Sequence, residues 1–327
     1  MPIANNVSQD SARSMLAWRV HEFGAPEAMI LERIPRPEPG PGEVLVHVHA
    51  AGVGPWDGWI RAGKSALPQP LPLTLGSDLS GTIAALGPGV SEMTMGDEVF
   101  GVTNSQFTGA YAEYAVASAG MLAKKPRSSS YPEAASVPVV AVTAWQALFE
   151  HARLEAGQTV LIHGAAGNVG AYAVQLAHRA GLRSIATAGA KDIEYVRSLG
   201  ADKILDYHTQ RFEDEVKDAD AVLDFVGGET QARSFQVLRQ GGKLISAVSQ
   251  PDQQRAKDRA ITAAFFLVEV TTERLRRIAE LIDRGELKTR VGAVLPLSDA
   301  RDAHMMLEGR KPQPKGKIVL EIDSIRE

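Results

Sequence analysis

No cysteine occurs among the 327 residues, so disulfides, thiolate metal sites and cysteine nucleophiles are all excluded. Neither sign of charge dominates. The net charge is −4 with 23% charged residues, which gives no electrostatic reason to expect nucleic acid or an anionic membrane as partner. Long apolar runs are missing as well: the longest, around Val137 to Phe149, is interrupted by Thr143, Trp145 and Gln146 and is too short to span a bilayer. Residues Met1 to Ser14 contain no apolar core of signal-peptide length. These absences lead to the expectation of a soluble, cytoplasmic protein. What is present agrees. A hydrophobic share of 44% over this length can bury a large core divided between two domains, and 30 glycines with 18 prolines suit a globular enzyme with many turns.

The chain is organised around Gln158 to Gly170. Thr159 to Ile162 is a short, β-branched apolar run of the kind that forms a strand buried on both faces. Gly164, Ala165, Ala166, Gly167, Asn168, Val169 and Gly170 follow, and then Ala173, Leu176, Ala177 and Ala180 at helical spacing. Strand, glycine turn and helix in that order can bring backbone amides to a pyrophosphate. The fingerprint is imperfect, because Ala165 stands where the first of its three glycines is usual. A tight turn without a ligand is the competing reading.

Before this point the chain reads as mostly β. After a leader at 1–14, strands begin at Met15 to His21 and Glu43 to His49, and short strands with glycine punctuation continue to about residue 125. His47 and His49 share one face of their strand, a spacing a metal could use, but without a third ligand they read as a solvated or core-edge pair. From Pro132 onward helical segments alternate with strands at Arg183 to Ala188, Lys203 to Tyr207, Ala221 to Phe225, Lys243 to Val248 and Ile261 to Val268. That succession predicts a doubly wound parallel sheet. An amphipathic helix over Thr271 to Arg284 ends at Gly285, and short β elements close the chain.

Several motifs in this order are similar to the medium-chain dehydrogenase/reductase superfamily, and to its zinc-free quinone oxidoreductase branch. They are Gly76-Ser77-Asp78, Gly96-Asp97-Glu98-Val99, Gly109 to Tyr114, Val142 to Leu148, the turn at 164–170, Asp224-Phe225-Val226-Gly227-Gly228, and Lys315 to Leu320. The resemblance covers essentially the whole chain after the leader. It implies an α/β fold, with a Rossmann doubly wound parallel sheet at 136–285 inserted in a GroES-like, mostly β catalytic domain at 15–135 and 286–327. It also implies a homodimer joined through the sixth strand, Ile261 to Val268, whose apolar edge would otherwise invite aggregation. Zinc-bearing relatives carry a cysteine where Gly54 stands, and histidine and glutamate where Ser77 and Asp78 stand. No zinc is therefore expected. Zinc-free relatives usually have asparagine at the position of Gly54, so an active-site amide is lost here.

NADPH is expected in preference to NADH. The second Rossmann strand ends at Thr187, Ala188 and Gly189 without the carboxylate that holds a ribose 2′-hydroxyl, and Lys191 could neutralise a 2′-phosphate. Lys191 also reads as a plain solvated helix residue. The resemblance adds Tyr207 at the adenosine phosphate, places Thr143, Val248, Ser249, Phe266 and Val268 about the nicotinamide, and includes Val226, Gly227 and Lys317 among the cofactor contacts.

Without a metal, hydride transfer suits an acceptor that is already electrophilic, a quinone or a conjugated carbonyl. Tyr111 is the first candidate for a donor to the developing oxyanion, or else a core tyrosine whose hydroxyl finds a partner. Asp57 and Arg61 read as a loop-fixing pair. Trp56, Trp59 and Phe107 read either as an apolar wall for a flat acceptor or as core. The leading expectation is an NADPH-dependent quinone reductase. An NADPH-dependent enone or alkenal double-bond reductase, a non-catalytic nicotinamide-binding protein with a structural or sensing role, and a zinc alcohol dehydrogenase are the alternatives.

Overall fold

The computed structural model describes residues 14–322, and the chain forms two compact units. One contains the described residues up to Val139, Val270–Asp283, and those from Thr289 onward. The other contains Val140–Glu269 and Arg284–Lys288. Of the leader expected at 1–14, residues 1–13 lie outside the described residues, and Ser14 opens the first strand, Ser14–Val20.

The first unit is GroES-like. Its larger sheet runs in the order Val291–Pro296, Lys317–Glu321, Glu43–Val53, Asp78–Leu86, Glu98–Val102 and Leu122–Lys124, with Tyr114–Ser118 also on Glu43–Val53. The alternation in Glu43–Val53 explains its place: Val44, Val46 and Val48 are fully buried because successive side chains point to opposite faces. The C-terminal strand Lys317–Glu321 pairs antiparallel with Glu43–Val53, Ile318 opposite Val53. The two ends of the chain thus share one core.

The second unit carries a six-stranded parallel sheet in the order Lys203–Asp206, Arg183–Ala188, Thr159–His163, Ala219–Asp224, Leu238–Ser246 and Thr262–Phe265. Val160, Leu161 and Ile162 are fully buried in its central strand. The strand order reverses beside Thr159–His163, where crossovers diverge and leave a crevice for a ligand.

Two expectations need correcting. The sixth strand is Thr262–Phe265, shorter than Ile261 to Val268, because only Thr262 to Phe265 have ladder partners on Leu238–Ser246. The helix expected in the Rossmann domain, Thr272–Asp283, belongs to the first unit. Its ends are fastened there: Thr272 Oγ1 donates to the Leu122 carbonyl at 2.7 Å, and Asp283 accepts from the Ser128 amide at 3.0 Å.

Candidate active site

In the second unit, the glycine corner is a cradle in the literal steric sense. Gly164 has φ +70°, and a Cβ on Gly170 would lie 2.2 Å from the Gly164 carbonyl oxygen. Only glycine lets the helix Asn168–Arg179 start this close to the strand. No side chain caps that helix at Gly167, so the amides of its first turn keep their capacity for an anion. Ala165, fully buried, replaces the usual first glycine, and its amide donates to the Thr187 carbonyl at 3.2 Å. The neighbouring loops interlock with this corner. A Cβ on Gly164 would lie 3.2 Å from Val226 Cγ2, and one on Gly227 3.2 Å from Val248 Cγ1. Val226 and Val248 are nevertheless 51% and 39% exposed, an apolar surface of the kind a bound ligand covers. These residues fit a dinucleotide.

At the adenosine end, Lys191, in the short turn Ala190–Asp192, and Tyr207 are exposed. The Tyr207 hydroxyl packs over Gly189, 3.2 Å from where a Cβ would be. Thr187 is placed differently from expectation. Its side chain is buried and pairs with His163 Nδ1 at 3.1 Å. Ser234 Oγ spends its proton on the Thr230 carbonyl at 2.6 Å and lies 3.1 Å from His163 Nε2. It must therefore accept from Nε2–H, which leaves Nδ1 to accept the Thr187 hydroxyl. Burial holds the His163 imidazole down to about 4, with the Arg233 charge adding and Asp224 opposing. Thr187 is thus a support for the corner, not a side-chain contact. Thr143 and Phe266 are buried, and the Phe266 ring lies tilted against His151, centroids 4.3 Å apart. Val268 is half-buried and Ser249 exposed.

The first unit holds the other expected residues, and here two assignments change. Tyr111 is fully buried and its hydroxyl donates to Asp57 Oδ2 at 3.0 Å. A phenol so engaged, with its pKa pushed well above 10 by burial and by Asp57, has no proton to offer an acceptor. Lys317 is only 2% exposed. Its ammonium pairs with the buried Asp78 at 3.0 Å and lies 4.2 Å from the centre of the Trp56 ring, so it is committed to the protein and not to a cofactor.

Asp57 and Arg61 do not pair. Asp57 Oδ2 takes the Gly54 amide at 2.8 Å as well as Tyr111, whereas Arg61 pairs with Glu308. Burial lifts the Asp57 carboxyl to about 7, opposed by the Gly54 amide and by Lys317.

Gly54 has a steric reason that the sequence alone does not state. A Cβ there would lie 2.3 Å from the Trp56 indole. Trp56 fills the place of a side chain at residue 54, and its Nε1 donates to Ser77 Oγ at 3.2 Å. The three positions that carry zinc donors in relatives therefore offer no side chain at Gly54, a hydroxyl already bonded to indole at Ser77, and a carboxylate held by an ammonium at Asp78. This set does not fit a zinc ion. Among the described residues no group of three or more His, Cys, Asp or Glu side chains could hold a metal. His47 and His49 lie edge to face at 4.8 Å, flanked by Tyr114 and Tyr131. Trp59 is exposed, while Trp56 and Phe107 pack against the core. A separate groove of about 360 Å³ in this unit, lined by Met15, Ile34, Pro70 and Tyr114 among others, contains none of the expected site residues.

Comparison with known proteins agrees with this architecture. Residues 40–127 match the alcohol dehydrogenase GroES-like domain, and residues 199–320 match a family described as zinc-binding dehydrogenase. Human quinone oxidoreductase is 33% identical over 308 residues, covering 89% of this chain and 93% of its own. The structure of the quinone oxidoreductase from Coxiella burnetii superposes with a TM-score of 0.87 at 32% identity, over 95% of this chain and all of its own. A mycobacterial protein solved in complex with NADPH superposes with a TM-score of 0.83 at 32% identity, over 94% of this chain and all of its own.

Proposed function

The chain belongs to the quinone oxidoreductase branch of the medium-chain dehydrogenase/reductase superfamily, and on that premise we propose that it reduces a quinone with NADPH and without a metal. The observation that carries this reading is the corner at 164–170, where glycines at 164 and 170 hold an uncapped helix start against the central strand. NADPH, when bound, supplies the hydride. The protein's part is to hold and shield it: the turn amides would receive the pyrophosphate, and Val226 and Val248 would keep water from the reacting ring. Lys191 and Tyr207 would hold the 2′-phosphate, with Ala188 in place of a carboxylate that would repel it. A mycobacterial relative complexed with NADPH supports the same choice.

The donor set at Gly54, Ser77 and Asp78 supports chemistry that needs no Lewis acid, and a quinone is electrophilic enough to accept hydride unaided. A homodimer through Thr262–Phe265 belongs to the same reading, since that edge strand pairs on one side only among the described residues. Fluorescence titration with both nucleotides tests the proposal. NADPH binds more tightly than NADH, and Lys191→Gln narrows the preference by about tenfold, or ~1.4 kcal/mol. Turnover of 1,4-naphthoquinone exceeds that of a conjugated enone. Failure of NADPH to bind refutes the proposal, and the reverse order of acceptors replaces quinone with enone.

A further inference from the structure

Asp224 ends the fourth Rossmann strand, beside His163 in the parallel register, and is fully buried. A buried carboxylate is retained only where donors satisfy it. Here four do. Oδ1 accepts from the Val226 amide at 3.0 Å and the Gly227 amide at 2.8 Å, and Oδ2 accepts from Gln231 Nε2 and from Ser246 Oγ, both at 2.9 Å.

The network then reaches a second loop. Having given its proton to Asp224, Ser246 Oγ accepts from the amides of Val248 at 3.1 Å and Ser249 at 3.3 Å. Gln231 Nε2 also donates to the Ser249 carbonyl at 3.0 Å. One carboxylate therefore fixes both 225–227 and 247–249, the two loops whose valines stand exposed. Gly227, with φ +80°, turns the first of these loops directly under Val248.

We propose that Asp224 is a positioning residue for the nicotinamide half of the cofactor, acting through these two loops and touching neither cofactor nor substrate. The inference rests on the NADPH reading above. The adenosine half is held elsewhere, at the ends of the second and third strands, by groups outside this network. The consequence is selective. Loosening the network weakens the whole dinucleotide but leaves an adenosine fragment bound as before.

The test is calorimetric titration of the full chain, wild type, Asp224→Asn and Ser246→Ala, with NADPH and with adenosine 2′,5′-bisphosphate. An amide at 224 turns one acceptor into a donor that faces donors. NADPH affinity is then expected to fall about tenfold or more, and in Ser246→Ala about threefold, with the fragment changed less than about twofold in both. Ser246→Ala keeps the charge at 224 and decides the matter if Asp224→Asn does not fold. Equal losses for fragment and dinucleotide, or no loss of NADPH affinity, overturn the proposal. Wild-type protein that binds the fragment but not NADPH, or neither, refutes instead the function from which it starts.

Discussion

Two glycine corners, 164–170 in the second unit and 52–54 in the first, use the same residue for opposite ends. At 164–170 the missing side chains leave room, and backbone amides stay available beside exposed Val226. At 52–54 the room is already taken. A Cβ on Gly52 would meet the Ala135 carbonyl at 2.4 Å and Asp78 Cβ at 2.9 Å, and one on Gly54 would meet Trp56. The first corner is left open, its helix start uncapped by any side chain. The second is a plug, with Trp56, Asp78 and Lys317 packed where relatives place metal donors. A glycine therefore says that something approaches closely, and only its neighbours say whether that is a ligand or the protein itself.

Breaking the plug should have the largest effect. Lys317→Met strands the buried Asp78 carboxylate, and loss of one partner of such a pair costs about 3–5 kcal/mol of stability. Denaturant unfolding reads it, and Asp78→Asn added to Lys317→Met recovers part of the loss. Breaking the cradle has the converse signature. Gly170→Ala sets a methyl against the Gly164 carbonyl, and NADPH affinity falls by about 100-fold, or ~2.7 kcal/mol. An unchanged dissociation constant there would erase the distinction between the two corners.

The third test sharpens the plug side through pH. Burial raises the Asp57 carboxyl from 3.8 to about 7, so between these values the folded protein holds a proton that the unfolded chain has released. The stability this gives is complete below about pH 4 and is lost as pH rises through about 7. Between pH 5 and pH 8 the wild type should lose about 2–3 kcal/mol more than Asp57→Asn. Parallel melting curves for the two proteins across that range would show that Asp57 is not buried as described.

The central sheet was legible because Val160, Leu161 and Ile162 form a short, β-branched run bounded by turn residues, which favours a strand covered on both faces over a helix, and the turn after it has glycine where the backbone must close. The GroES-like unit was legible through the order of its motifs. What stayed hidden depends on partners far along the chain. Lys317 and Asp78 are 239 residues apart, and no spacing rule connects them. The helix Thr272–Asp283 has an apolar face in its sequence, but periodicity says only that this face is buried, not against which unit. Tyr111 could be a donor or core until Asp57 was found 3.0 Å from its hydroxyl. His163 carries a signal of its own: a histidine inside a buried apolar strand, next to the glycine turn, needs partners for both ring nitrogens.

A nucleotide held at 164–170 and a metal position filled by Trp56, Asp78 and Lys317 would together make reduction independent of zinc. The measurement is NADPH-dependent reduction of 1,4-naphthoquinone before and after exhaustive chelation, with zinc assayed in the same samples. Turnover is expected to be unchanged by chelation, with zinc far below one equivalent per chain. Activity abolished by chelation and restored by stoichiometric zinc would contradict it.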